Sequence, residues 1–142
     1  AIRMPLTRRT AFRVVKSLDV GRMRQGAALL EGTHDFRDFA GPPSELGAST
    51  LRRIVKTEVH RDGHLVTIEI EGNAFLPHMV RRIAGALVAI GLGEISVKDI
   101  RLIIERHPEA PVADTLPPHG LSLEQVKYPD FPPEDGEYNG NL

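Results

Sequence analysis

Between Asn73 and Gly93 the chain reads NAFLPHMVRRIAGALVAIGLG, and no other stretch narrows the possible folds as much. Apolar residues recur there at helical spacing: Phe75, Met79, Ile83, Leu87 and Ile90 share one stripe, with Leu76 and Val80 beside it. A helix of this kind must bury its stripe against a second layer. Pro77 is tolerated only in a first helical turn, so the spacing predicts a helix that begins near Leu76. His78, Arg81, Arg82 and Gly85 follow at i, i+3, i+4 and i+7, which predicts a separate basic face above a residue without a side chain. An anion or another backbone can approach such a face. A core helix whose basic side is merely solvated fits the same spacing.

The second layer is legible on both sides of this helix. Thr50 to His60 reads as a strand with Val55, Thr57 and Val59 facing in and Arg52, Lys56 and Glu58 facing out. Arg61-Asp62-Gly63-His64 is a hairpin turn, because Asp-Gly suits positive φ. Leu65 to Glu71 returns with Val66, Ile68 and Ile70 on one face and Thr67, Glu69 and Glu71 on the other. That alternation predicts an antiparallel sheet covered on one side, with the Asn73–Gly93 helix as its cover. Upstream, Phe12 to Leu18 has strand composition, and Asp19 caps a helix running to about Leu30. Val20, Met23, Ala27 and Leu30 form its stripe, Arg22 and Arg24 point elsewhere, and Gly32 supplies the stop. Downstream, Ser96 and Asp99 form an acidic capping box, with Ile95 and Ile100 as its hydrophobic staple. Val97, Ile100, Ile103 and Ile104 give that helix its buried stripe, and Pro108 ends it. Leu121 to Tyr128 is a last strand with Leu121, Leu123 and Val126 buried. The predicted fold class is α+β: an antiparallel sheet with helices packed on one face. Residues 1–17 are an entry arm and first strand, 18–128 the α/β domain, and 129–142 an acidic tail of disordered composition. Ala40–Ser49 and Pro111–Gly120 are loops.

Composition removes several function classes. The 142 residues include no cysteine, which excludes disulfides, thiolate metal sites and cysteine nucleophiles. The six histidines stand at spacings that suit no metal site, and no phosphate-loop or dinucleotide motif occurs. Neither a metal nor a cofactor is expected. No apolar run approaches the roughly 20 residues of a membrane helix, and no signal peptide is visible. A cytoplasmic protein without a membrane partner is the default expectation. The opening at Ala1 suggests a piece of something longer. A formal net charge of −1 hides an asymmetry. Residues 1–24 carry Arg3, Arg8, Arg9, Arg13, Lys16, Arg22 and Arg24 against Asp19 alone. The tail carries Asp130, Glu134, Asp135 and Glu137 without a base. A basic end attracts polyanions, and a solvated charge run has the same composition.

Three blocks, in order, carry a family resemblance. FLPHMVRRIAG (75–85) resembles the FLHHMVRNIVG segment in the C-terminal domain of TruA-type tRNA pseudouridine synthases. LEGTHDFRDFA (30–40) and TLPPHGLSLEQVKY (115–128) match the same family. The resemblance runs from about Leu18 to Tyr128 and implies one half of a pseudouridine-synthase-like fold. It implies an enzyme that isomerises uridine to pseudouridine in the tRNA anticodon stem-loop, without a cofactor, and acts as a homodimer. The family's catalytic aspartate lies in an Arg-Thr-Asp motif of the N-terminal half, and no Arg-Thr-Asp occurs in this sequence. Arg81 matches the arginine that pairs with that aspartate, and Leu121 matches a residue lining the uracil pocket. His78, Arg82, Arg52 and His34 are the expected RNA contacts. Pro77 and Arg82 depart from the pattern, standing where the family has histidine and asparagine. Under the resemblance THDFRDF is a structural signature with some RNA-facing polar groups. A catalytic His34–Asp35 pair is disfavoured, because adjacent side chains do not face each other. The expected partners are tRNA and the N-terminal half of the same enzyme. The alternative reading is a non-catalytic RNA-binding or assembly module.

Overall fold

The computed structural model describes residues 7–40, 48–112 and 122–128. Five strands form one sheet in the order β2-β3-β4-β1-β5, every neighbouring pair antiparallel. In chain order the elements are β1 (Arg8–Val15), α1 (Val20–Leu30), β2 (Gly32–Asp35), a 3₁₀ turn (Arg37–Phe39), β3 (Leu51–Asp62), β4 (Leu65–Gly72), α2 (Met79–Gly91), α3 (Val97–Ile104) and β5 (Glu124–Lys127). The α+β reading holds. The expected loops at Ala40–Ser49 and Pro111–Gly120 and the expected tail at 129–142 fall wholly or mostly outside the described residues.

One core joins the sheet to the helices. Phe12, Val14, Val66, Ile68 and Ile70 from the strands meet Met23, Leu30, Met79, Ile83, Leu87 and Ile90, all buried. Arg61 also lies on this side and donates to the Leu18 carbonyl. Gly26 permits a close helix approach: a Cβ there would lie 2.8 Å from Ile90 Cδ1 and 3.3 Å from Leu87 Cδ2. α1 packs on β3 and touches both α2 and α3. The cover is therefore shared, not supplied by α2 alone.

Several sequence expectations need correction. The first strand begins at Arg8, not Phe12, so residues 8–11, expected in the entry arm, belong to an interior strand bonded to β4 and β5. Arg8 and Thr10 share the side of the strand that carries Phe12 and Val14, so polar residues break the apolar alternation at its start. β3 does not present Val55 inward. A bulge between Ile54 and Lys56 shifts the register by one residue, burying Ile54 at 1% exposure and leaving Val55 44% exposed. β2, for which the sequence predicted no strand, pairs with β3.

The largest correction concerns the start of α2. Leu76, Pro77 and His78 are outside the helix, which begins at Met79. The Met79 N–H donates to the Leu76 carbonyl at 3.1 Å, and His78 has φ 64 and ψ 0. That is a type II turn with Pro77 at its favoured second position and His78 where glycine or asparagine is usual. Pro77 sets the turn before the helix rather than its first turn. His78 therefore leaves the helical face it was predicted to share with Arg81 and Arg82. Nor is that face open further along, since Ala84, Gly85, Ala86 and Val88 are all buried. From Ile83 to Val88 the helix is enclosed on every side, as an apolar-all-round helix must be.

The helix ends are also specific. Gly93, at φ 80, closes α2 while the Glu94 and Gly93 N–H groups bond to the Ala89 and Ile90 carbonyls. α3 ends the same way before Pro108, but its left-handed position is Arg106, at φ 57. At the other end of α3 the Asp99 carboxylate accepts from the Ser96 N–H at 2.8 Å, as the capping box predicts. Asp19 caps α1 by accepting from the Arg22 N–H at 3.1 Å.

Candidate active site and nucleic-acid interface

Register places one end of the sheet under the start of α2. Arg8 and Ile54 both lie opposite Gly72, the last residue of β4, and Thr10 lies opposite Lys127. The chain then passes through the type II turn into α2, whose first turn carries Arg81 and Arg82. Arg8, Arg9, Arg52, Arg53, Arg81 and Arg82 thus gather at this end, from three different elements. Arg9 stacks over the Tyr128 ring at 4.4 Å, which holds its cation at the edge of β5. Between β3 and the turn lies an open depression lined by Thr33, Leu51, Arg52, Arg53, Asn73 and Ala74.

Arg81 is half-buried, and its Nη1 donates to Gln125 Oε1 on β5 at 3.4 Å. Among the described residues no carboxylate pairs with it; the ion pairs that form all involve other cations. A partly desolvated guanidinium held by a neutral amide keeps its full charge for an anion brought to it. Leu121, the other expected pocket residue, lies outside the described residues.

The expected RNA contacts divide. His78 is exposed in the turn and free of any side-chain cap role. Arg82 is half-buried beside Arg81 in the first turn of α2. His34 and Arg52 face each other across β2 and β3, but both are occupied locally. His34 Nε2 meets the Glu31 carbonyl at 2.8 Å, and Arg52 Nη1 donates to the Ser49 and Leu51 carbonyls at 3.0 and 2.7 Å. Both side chains are thus engaged by nearby backbone carbonyls.

THDFRDF resolves into a structural knot. Phe36 and Phe39 are fully buried, their ring centroids 6.1 Å apart. Asp35 accepts from the Thr50 hydroxyl at 2.6 Å and the Arg37 N–H at 3.0 Å. Arg106 reaches Asp35 at 3.9 Å and Asp38 at 3.7 Å, which accounts for a non-glycine in the left-handed position closing α3. Burial alone would raise the Asp35 pKa. The Thr50 and Arg37 hydrogen bonds and the Arg106 and Arg37 charges outweigh it and hold the carboxyl below its ordinary value. Asp35 is a committed structural anion, not a catalytic base.

The outward face of the sheet is not a basic surface. Cross-strand pairing sets Lys56 opposite Glu71 and Glu58 opposite Glu69, and Arg13 pairs with Glu124 at 3.9 Å. Glu58, His60 and Glu69 bring ligand-type atoms within 4.8 Å of one another, a proximity the sequence spacing did not suggest. Lys56 already lies 3.3 Å from Glu58, and His60 Nε2 stands between the two carboxylates at 3.3 and 3.8 Å. Burial would raise the Glu58 pKa, but hydrogen bonds from His60 and Lys56 lower it overall. Lys56 and His60 already occupy these carboxylates. The cationic end, not the open face, is the electropositive surface.

The sequence reading missed Gln125 and Thr10, whose roles depend on the β1–β5 register. A polar residue on the core-facing side of a predicted strand was the available signal.

The sheet thus carries arginines at one end, and among the described residues Arg81 has no carboxylate partner. Comparisons with known proteins narrow this. The family model described as tRNA pseudouridine synthase matches residues 27–129. A tRNA pseudouridine synthase A of Neisseria meningitidis serogroup B is 38% identical over 129 residues, covering 91% of this chain and 48% of the relative. One from a Geobacter species is 39% identical over 131 residues, covering 91% and 52%. One from Coxiella burnetii is 40% identical over 114 residues, covering 80% and 43%. This chain belongs to the tRNA pseudouridine synthase family. It spans about half the length of the relatives it matches.

Proposed function

We propose that this chain is the arginine-bearing half of a tRNA pseudouridine synthase, acting with a half that carries the catalytic aspartate. The observation that carries this reading is Arg81: half-buried, tethered by a neutral amide, and without a carboxylate partner among the described residues. An opposing carboxylate at hydrogen-bonding distance would be held ionised and oriented, as a nucleophile requires. The substrate is tRNA, docked on the arginines at the end of the sheet, with a uridine of the anticodon stem-loop turned out of its stack to reach the aspartate. The uracil is detached from its ribose and rejoined through carbon, so the product is an isomer and no cofactor is consumed. Leu121 supplies an apolar wall of the uracil pocket. The working enzyme is a cytoplasmic homodimer in which each copy carries both halves of the site.

RNA docking is tested through Arg82. Arg82→Ala in the assembled enzyme is expected to weaken tRNA binding and to reduce the slope of log affinity against log salt by roughly one counterion. Unchanged affinity and slope would remove Arg82 from the docking surface and leave it as a helix-packing residue. The matching change at His34 is expected to do less, since its ring already meets the Glu31 carbonyl.

A further inference from the structure

The site described so far ends at Arg81, but its hydrogen bond continues into the sheet. Arg81 Nη1 donates to Gln125 Oε1 at 3.4 Å, Gln125 Nε2 donates to Thr10 Oγ1 at 3.3 Å, and the Thr10 hydroxyl donates to the Val126 carbonyl at 3.2 Å. The direction of this relay is fixed by its far end. The Thr10 proton is committed to a backbone carbonyl, so its oxygen can only accept, and Gln125 must turn its NH₂ toward it. The amide oxygen is thereby left facing Arg81. Thr10 is 4% exposed and sits on β1, an interior strand, so the anchor is rigid.

We propose that Gln125 and Thr10 are positioning residues that set the Arg81 guanidinium for the incoming aspartate. The inference rests on the reading of Arg81 given above. Glutamine suits the task because it accepts one N–H without neutralising the cation. A carboxylate at the same place would compete with the catalytic one. None of the three bonds is short, so the relay aims a side chain that must still engage a second partner.

The experiment measures single-turnover rate and tRNA affinity in the assembled enzyme. Gln125→Glu is nearly isosteric but captures Arg81, and is expected to slow the chemical step by roughly tenfold or more. Gln125→Met, which removes the acceptor, is expected to slow it about three- to tenfold, the scale of one modest hydrogen bond. Both should leave tRNA affinity unchanged. Thr10→Val should match Gln125→Met although it touches neither Arg81 nor RNA, while Thr10→Ser should restore the rate. In an Arg81→Met background none of these changes should matter further, because the relay acts only through Arg81. Full rate in Gln125→Glu beside an impaired Arg81→Met would overturn this inference alone. Full rate in Arg81→Met would overturn the site reading and the inference with it.

Discussion

Arg81→Met is expected to slow pseudouridine formation roughly a hundred- to a thousandfold, with tRNA affinity nearly unchanged, because a desolvated carboxylate would lose its counter-charge. The aspartate's pKa would rise, and less of it would be ionised to attack. Arg81→Lys keeps the charge but loses the planar two-pronged geometry, so its rate should fall to an intermediate value. Folding should tolerate both. Arg81 is only half-buried, and its single bond within the described residues is the 3.4 Å contact to Gln125. Single-turnover rates measured beside tRNA binding separate the possibilities. Rate and affinity falling in proportion would mean that Arg81 serves docking rather than chemistry.

The second large effect concerns stability. Phe36→Ala is expected to destabilise the fold by about 3–5 kcal/mol, the usual cost of emptying a fully buried aromatic site. Phe36 is completely inaccessible, packs on Phe39 and takes the edge of the His34 ring at 5.7 Å. It pins β2 and the 3₁₀ turn against the helices, beside the Arg106–Asp35–Asp38 group that closes α3. His34→Ala keeps the Phe36 ring in place and should cost no more than about 1 kcal/mol. Urea unfolding of the two variants tests the assignment. Equal, small effects would mean that THDFRDF is displayed for recognition rather than built into the core.

Legibility in the sequence followed the strength of local patterns. β4 was readable because Val66, Ile68 and Ile70 alternate without interruption, and all three are fully buried. α1 and α3 were readable from their caps, since Asp19, Ser96 and Asp99 act where their side chains can reach free N–H groups. The inward face of β3 was misread because a bulge moves parity by one residue, and nothing between Ile54 and Lys56 marks it locally. β1 was shortened because Arg8 and Thr10 stand at the inward parity of Phe12 and Val14, where alternation expects apolar residues. The start of α2 was misplaced because proline suits both a first helical turn and the second position of a type II turn. Only the chain's path from Gly72 decides between them. Arg81 was found by resemblance rather than by spacing. Its periodicity with His78 had no physical content once His78 left the helix. Thr10 and Gln125 stand more than a hundred positions apart in the chain, a pairing that no local pattern encodes.

The most direct test of the central claim is tritium release from uracil-labelled tRNA, comparing this chain alone with this chain mixed with an aspartate-bearing N-terminal half. Arg81 without its aspartate is expected to give no turnover above a no-enzyme blank, and the mixture is expected to restore it. Turnover by this chain alone would contradict the division of the active site between two halves.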